Sequence, residues 1–328
     1  CALILKIKKI KPMNRKQFLT TLGGGTLAMT LAPNLWMAKE FSALNLASEN
    51  QLTILHTNDQ HSRIEPFDSS YTRNPNQGGF ARRAALIQKI RSQESNVLLL
   101  DSGDIFQGTP YFNFFGGELE FKLMSMMGYD AATMGNHDFY SGVQGFNKVR
   151  PVAKFPFLCS NYDFKNTILD GETEKYKIFN KNGIKVGIFG VGIKLEGLVG
   201  KKDYGETEYL DPIEIAQHYS DFLRNEKKCD MVICLSHIGY DYRDDPKKVS
   251  DKILAANTAG IDLILGGHTH TFLPEPQSFF NKNGKNVLVN QVGWAGLLLG
   301  KITFYFDKNK NVKNISWNNQ VIDDRILV

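Results

Sequence analysis

The chain has 328 residues, 42% of them hydrophobic and 22% charged, which excludes a disordered or fibrous protein and leaves room for one large core or two modest ones. Its formal net charge of +5 comes from the front, where Lys6, Lys8, Lys9, Lys11, Arg15, Lys16 and Lys39 are offset only by Glu40. Removing that surplus of six leaves about −1 for the remainder, so the folded part offers no basic stripe for a nucleic-acid polymer.

Residues 1–12 precede Met13 and read as upstream translation. Residues 13–47 read as an export signal: basic Arg15 and Lys16, an apolar stretch from Phe18 to Leu31, and small residues Ala38, Ala43 and Ala47 near which cleavage could occur. The run Asn14 to Leu19 resembles a twin-arginine signal with Lys16 in place of the second arginine, and an uncleaved anchor is the alternative. The expected location is therefore periplasmic or extracellular, with one catalytic domain at 48–328. Cys159, Cys229 and Cys234 lie in or beside apolar runs without metal-ligand spacing and read as buried free thiols.

From residue 51, short aliphatic or β-branched runs alternate with amphipathic segments, the pattern of an α/β layered fold. Strands are predicted at 51–56, 96–100, 131–134, 231–235 and 261–265, and helices at 80–90, 119–127, 213–224 and 249–256. A hairpin turns at Asn182-Gly183, and a meander is expected over 286–317 with a turn near 307–311, which points to mixed rather than all-parallel sheets. Each of the five predicted strands ends in polar residues.

Those strand ends carry the chemistry. Five of the seven histidines follow predicted strands in company with Gly, Asp or Asn, where side chains from separate strands converge at one end of a sheet. Asp59 and His61 are two apart, as are His268 and His270, and on an extended segment each pair would point to one side and grip one ion or two neighbours. Gly103, Gly135, Gly266 and Gly267 would let backbone pass close to such a cluster.

Five motifs in order, LHTNDQH (55–61), SGDIFQGT (102–109), GNHD (135–138), SHIG (236–239) and GGHTH (266–270), resemble the metallophosphoesterase superfamily and, within it, the catalytic domain of the 5'-nucleotidase family. The resemblance implies a four-layered α/β/β/α calcineurin-like sandwich, whereas composition alone supports only α/β. It implies one divalent metal on Asp59, His61 and His270, a second on Asn136, His237 and His268, and Asp104 bridging both. His137 is implied as catalytic, with Asp138 beside it as a second candidate. Mixed imidazole and carboxylate ligands suit zinc, manganese, iron or cobalt.

Two divalent ions less Asp59, Asp104 and a bridging hydroxide leave a site near +1, which attracts a phosphate dianion and supplies a metal-bound hydroxide for in-line attack. The expected function is thus an exported two-metal phosphoesterase acting on phosphate monoesters, nucleotides first. A 2',3'-cyclic nucleotide phosphodiesterase, another small-phosphoester hydrolase, or a non-catalytic subunit with a separate nucleotide-binding partner are the alternatives. Two departures bear on this: Tyr140 stands where the family commonly has an aspartate and is expected to offer His137 a weaker hydrogen bond, and the family's nucleotide-recognition domain is not expected within the residues up to Val328. Asp101 is expected to hold the Asp104 loop more than to bind metal, His56 and His218 to be structural, and Arg82 and Arg83 to form a solvated face. The aromatic cluster Tyr111, Phe112, Phe114 and Phe115 could line a cleft, pack, or dock a further domain.

Overall fold

In the computed structural model the described residues are 51–328; the readings for 1–12 and 13–47 lie outside them. Two sheets carry the architecture. In the first, strands run in the order 312–317, 298–306, 51–57, 97–101 and 131–132. The strand Gln51–Thr57 is its centre, parallel to Val97–Asp101 and antiparallel to Leu298–Phe306. The second sheet runs 277–280, 286–290, 263–265, 231–237, 184–192 and 176–181, with parallel pairing at its middle and antiparallel hairpins at both edges.

Strand alternation builds the layers, because successive side chains point to opposite faces. Leu52, Ile54, Leu98 and Leu100 face inward from the first sheet and meet Val186, Ile188, Ile233, Leu235, Leu263 and Leu265 of the second in one buried cluster. The opposite faces, with Leu55 and Leu99 on one side and Val232, Cys234 and Ile264 on the other, pack against separate helical layers. Helix, sheet, sheet, helix is therefore the layer order, and all six inward residues of the second sheet are at most 5% exposed. The helix Phe80–Gln93 covers the first sheet with Phe80, Ile87 and Ile90. On the second sheet, Pro212–Asp221 begins at Asp211, whose side chain accepts from Ile213 N and Glu214 N, and Asp251–Asn257 is capped by Ser250.

The hairpin at Asn182-Gly183 forms as predicted. The meander over 286–317 does not. Asn286–Asn290 joins the second sheet between 263–265 and 277–280, while Leu298–Phe306 and Val312–Trp317 form a hairpin on the edge of the first. The chain crosses between sheets at 291–297, which brings that crossing segment to the strand ends where the metal-type residues gather. The helix predicted at 213–224 ends at Asp221 and continues as a wider π turn, Phe222–Glu226. Cys159, Cys229 and Cys234 are buried and free. No helix among the described residues is long and apolar enough to cross a membrane.

Candidate metal centre

All seven residues expected to ligate metal come together at the carboxyl ends of the parallel strands. Asp59 and His61 follow the strand 51–57, Asp104 follows 97–101, Asn136 follows 131–132, His237 ends 231–237, and His268 and His270 follow 263–265. The expectation that the paired residues converge by strand periodicity is corrected. Asp59, His61, Asp104, His268 and His270 have φ of 50°, 49°, 56°, 74° and 52°, left-handed backbone in which non-glycine residues are uncommon and held only by their surroundings. Loop hydrogen bonds hold the first three, Asp59 N to Gly103 O at 2.8 Å, His61 N to Asp104 O at 3.0 Å and Ser62 N to Ile105 O at 2.9 Å, and His268 is tied to them by its backbone N–H, which donates to the Asp59 carboxylate at 3.0–3.1 Å. The turns, not an extended segment, aim the side chains.

Two groups result, Asp59 with His61 and His270, and Asp104 with His237 and His268, each with its donor atoms within 4.8 Å of one another. His61 Nε2 and His270 Nε2 are 2.9 Å apart, His270 Nε2 and Asp59 Oδ1 3.3 Å, and His237 Nε2 and Asp104 Oδ2 3.1 Å. Asn136 Oδ1 lies 2.8 Å from His268 Nδ1. The groups adjoin, since His61 Nε2 is 4.0 Å from Asp104 Oδ2 and His237 Nε2 is 4.0 Å from Asp59 Oδ1.

This arrangement fits divalent cations. Donors bound at 2.0–2.2 Å with angles of 90–110° lie roughly 2.8–3.6 Å apart, the range of the four close separations. Tautomers agree as well: His237 Nδ1 meets Ser102 O at 2.6 Å and His61 Nδ1 meets Gln107 O at 3.0 Å, so each ring spends its N–H on a carbonyl and turns the Nε2 lone pair inward. His237 Nε2 is buried without a hydrogen-bond partner among the described residues, although a carboxylate oxygen lies beside it. Lone pairs facing lone pairs are stabilised by positive charge between them, a metal ion or, without one, a proton. The electrostatics agree. Burial opposes charge on His237, but the Asp104 and Asp59 carboxylates prevail and raise its pKa to about 10; burial likewise raises Asp104, yet His237 and His61 hold it below the usual carboxylate range. His268 falls to about 4, from burial and then from His237.

His137 sits at the edge of the cluster, half-buried, its backbone N–H donating to Asp104 Oδ1 at 2.7 Å and its ring edge-on to His61 at 4.9 Å. Burial pushes its pKa down. Asp138 is different from the catalytic candidate of the sequence reading: fully buried, it accepts from four backbone N–H groups, those of Asp104, Ile105, Phe106 and Gly135, at 2.8–3.1 Å. Burial first, and the charge of Asp104 second, raise its pKa to about 8 against those hydrogen bonds. Its carboxylate clamps the Asp104 loop to the Gly135 turn and does not face the donors. Among the described residues the Tyr140 phenol makes no hydrogen bond to the His137 ring; instead its own ring lies parallel to the imidazole, 9° between planes and 5.4 Å between centroids.

Asp101 holds the loop as expected, accepting from Thr57 Oγ1, Gln60 Nε2 and Gly103 N at 2.6–3.0 Å. His56 is buried and structural, with Asn290 Nδ2 2.8 Å from its Nε2, and His218 stacks on Phe222. The solvated face expected of Arg83 is wrong: it is 1% exposed, its guanidinium over the Phe80 ring at 4.1 Å and bonded to Gln60 Oε1. The helix turns that face toward the metal-side loop, so Arg83 braces Gln60, while Arg82 stays at the surface on Asn76 O. Phe112 packs on Phe106, and Phe114 and Phe115 are exposed. Sequence reasoning missed Asn58, which donates to Asp59 Oδ2 at 2.6 Å and accepts from Val292 N at 3.0 Å. Gln291, bonded to Gly267 O at 2.7 Å, and Trp294, stacked on His270 at 5.6 Å, were missed too. Asn58 lies inside a quoted motif; Gln291 and Trp294 lie on the crossing segment, which carries no spacing signal.

Residues 52–272 match the family model for calcineurin-like phosphoesterases. The chain belongs to that family. Among curated proteins, this calcineurin-like phosphoesterase is similar to a snake venom 5'-nucleotidase of Gloydius brevicauda, 35% identical over 87% of this chain and 50% of that protein. It is also similar to a 5'-nucleotidase of Homo sapiens, 33% identical over 88% of this chain and 50% of that protein. The chain thus spans about half the length of the curated relatives it matches. Among solved structures, a 5'-nucleotidase precursor from Thermus thermophilus superposes with a TM-score of 0.75 at 30% identity, covering 84% of this chain and 55% of that one. A calcineurin-like phosphoesterase from Bacillus subtilis reaches 0.70 at 26% identity and covers 85% and 92%.

Proposed function

We propose that this phosphoesterase hydrolyses phosphate monoesters outside the cytoplasm, nucleotides foremost, with Asp59, His61 and His270 holding one divalent cation, Asn136, His237 and His268 a second, and Asp104 shared between them. The observation that carries the reading is the meeting of two lone-pair groups, from distant stretches of chain, at adjoining positions with coordination-shell spacing. When bound, a pair of divalent cations supplies Lewis acidity toward phosphoryl oxygens and a lowered pKa for water.

The chain's own residues supply the rest. Asp59 and Asp104 would leave two divalent cations with surplus positive charge, so a phosphate dianion is drawn in. Asn58 fixes the Asp59 carboxylate, and Ser102 and Gln107 carbonyls fix the tautomers of His237 and His61, so the donor set is organised before substrate arrives. His137, beside this set, is placed to stabilise charge on the phosphoryl oxygens or to protonate the leaving oxygen. Asp138 acts through backbone, holding the turn that bears both Asn136 and His137. Nucleotides lead as substrates because the similar proteins are named 5'-nucleotidases; the reading of residues 13–47 as an export signal is what favours a location outside the cytoplasm.

The test is an assay of protein loaded with manganese or zinc on p-nitrophenyl phosphate, its bis ester, 2',3'-cyclic nucleotides and a panel of 5'-nucleotides. Turnover of the monoesters with preference for nucleotides is expected. Preference for the cyclic or bis ester would replace the substrate class, and inactivity on every ester by fully loaded protein would refute the enzymatic reading.

A further inference from the structure

His137 stands in an unusual setting for a residue that must present a ring to substrate. Its backbone is fixed by the bond to Asp104 Oδ1, but its Nδ1 is buried with no hydrogen-bond partner among the described residues. Two rings flank the imidazole: His61 edge-on at 4.9 Å and 87°, and Tyr140 parallel at 5.4 Å and 9°.

The contact with Tyr140 follows from the local backbone. Residues His137–Phe139 form a 3₁₀ turn, closed by Tyr140 N to His137 O at 3.0 Å. With three residues per turn, side chains at i and i+3 eclipse, so residue 140 is laid over residue 137 by the geometry of the turn. The turn itself cannot drift. Asp138 binds it to the backbone of Asp104, Ile105 and Phe106, and Phe139 is fully buried in the helical-side core against Tyr162. Tyr140 remains 55% exposed, a large ring kept at the surface with one face on the imidazole. Such a pair confines ring rotation without taking up either ring nitrogen.

We propose that Tyr140 is a positioning residue: its ring, stacked on His137, sets the plane of the imidazole that meets the substrate, a task that no hydrogen bond to that ring performs among the described residues. This rests on the proposed role of His137. It predicts that aromaticity at 140 matters and the phenol hydroxyl does not.

Tyr140→Phe and Tyr140→Leu, prepared in zinc-loaded protein, separate the ideas. The first readout is independent of turnover: the imidazole C–H resonances of His137, assigned by their loss in His137→Gln, carry the ring-current shift of a stacked neighbour. They are expected to hold in Tyr140→Phe and to move in Tyr140→Leu, while those of His237 and His268 stay put. The second is kinetic: kcat on p-nitrophenyl phosphate is expected to fall about tenfold in Tyr140→Leu, the scale of one aromatic pair, with KM within twofold, and to stay near wild type in Tyr140→Phe. Unmoved His137 resonances in the leucine variant, equal displacement of His237 and His268, or loss in Tyr140→Phe as large as in Tyr140→Leu would each overturn the proposal. Wild-type protein inactive on every ester, with the resonance pattern as expected, would instead sink the function while leaving the stacking assignment standing.

Discussion

Gly135 offers the sharpest test of how tightly the centre is built. It sits between Asp104 and His237, and its φ is not in the left-handed region, so alanine is barred there by space alone. A Cβ would lie 2.6 Å from both Asp104 N and His237 Nε2, and closer still to Asp104 Oδ1, against a floor of 3.0 Å for real contacts. At least 0.4 Å of retreat is thus required of two groups at once, and more of the carboxylate. Neither can yield freely: Asp104 is tied to His137 N and, through its own N–H, to Asp138, and His237 is tied to Ser102 O. The displaced groups are the carboxylate shared between the proposed ions and a ligand of the second. Second-sphere disturbances of metal ligands cost about 10–100-fold in affinity, and misplacement near 1 Å about 10²-fold in rate. Gly135→Ala is therefore expected to lose at least one ion per chain and about 10²-fold or more in kcat/KM on p-nitrophenyl phosphate, measured by elemental analysis and initial rates. Gly284→Ala, where no atom lies within 4 Å of the added carbon, controls for the substitution itself, although φ of 71° there adds its own strain. A Gly135→Ala protein that keeps two ions and works within threefold of wild type would refute the packing argument.

Asp138→Ala leaves four backbone N–H groups without their acceptor and is expected to cost ~2–4 kcal/mol in urea unfolding. A loss confined to activity would instead make Asp138 a group that meets substrate. His56 gives a pH dependence of known sign. Burial lowers its pKa to about 3 from 6.5, so the unfolded chain takes up a proton first, and the stability present above pH 6.5 drains as pH falls toward 3. Relative to a non-titrating His56→Asn variant, the wild type should lose about 2 kcal/mol more between pH 7 and pH 5; parallel stability profiles would show that His56 is not buried neutral. Chelation with EDTA should lower Tm in proportion to the ions removed, because bound cations stabilise the folded state alone. A Tm indifferent to EDTA in loaded protein would argue against ligation by these side chains.

The sequence by itself carried what local chemistry writes. Alternation of period two and near 3.6 marked the strands and most helices, and it did so because each element must bury one face whatever its neighbours are. The meeting of Asp59, His61, Asp104, Asn136, His237, His268 and His270 at one end of the strands was legible because all of them lie at strand ends in short polar motifs. The tertiary structure decided the rest. Five of those residues reach the centre through left-handed backbone, a conformation stabilised at Asp59, His61 and Asp104 by bonds between the 59–62 and 103–105 loops that neither loop encodes alone. Asn286–Asn290 reads as one meander with the two strands that follow it in the chain, yet pairs in the other sheet, since which edge is free is a property of the assembled sheets. Arg83 looked solvated because its helix was read without the loop that covers it, and Asp138 looked catalytic because a carboxylate beside a histidine gives no sign of the four amides that claim it. The physical reason is common to all four: periodicity reports which face is buried, but the partner that buries it is supplied by residues far away in the chain.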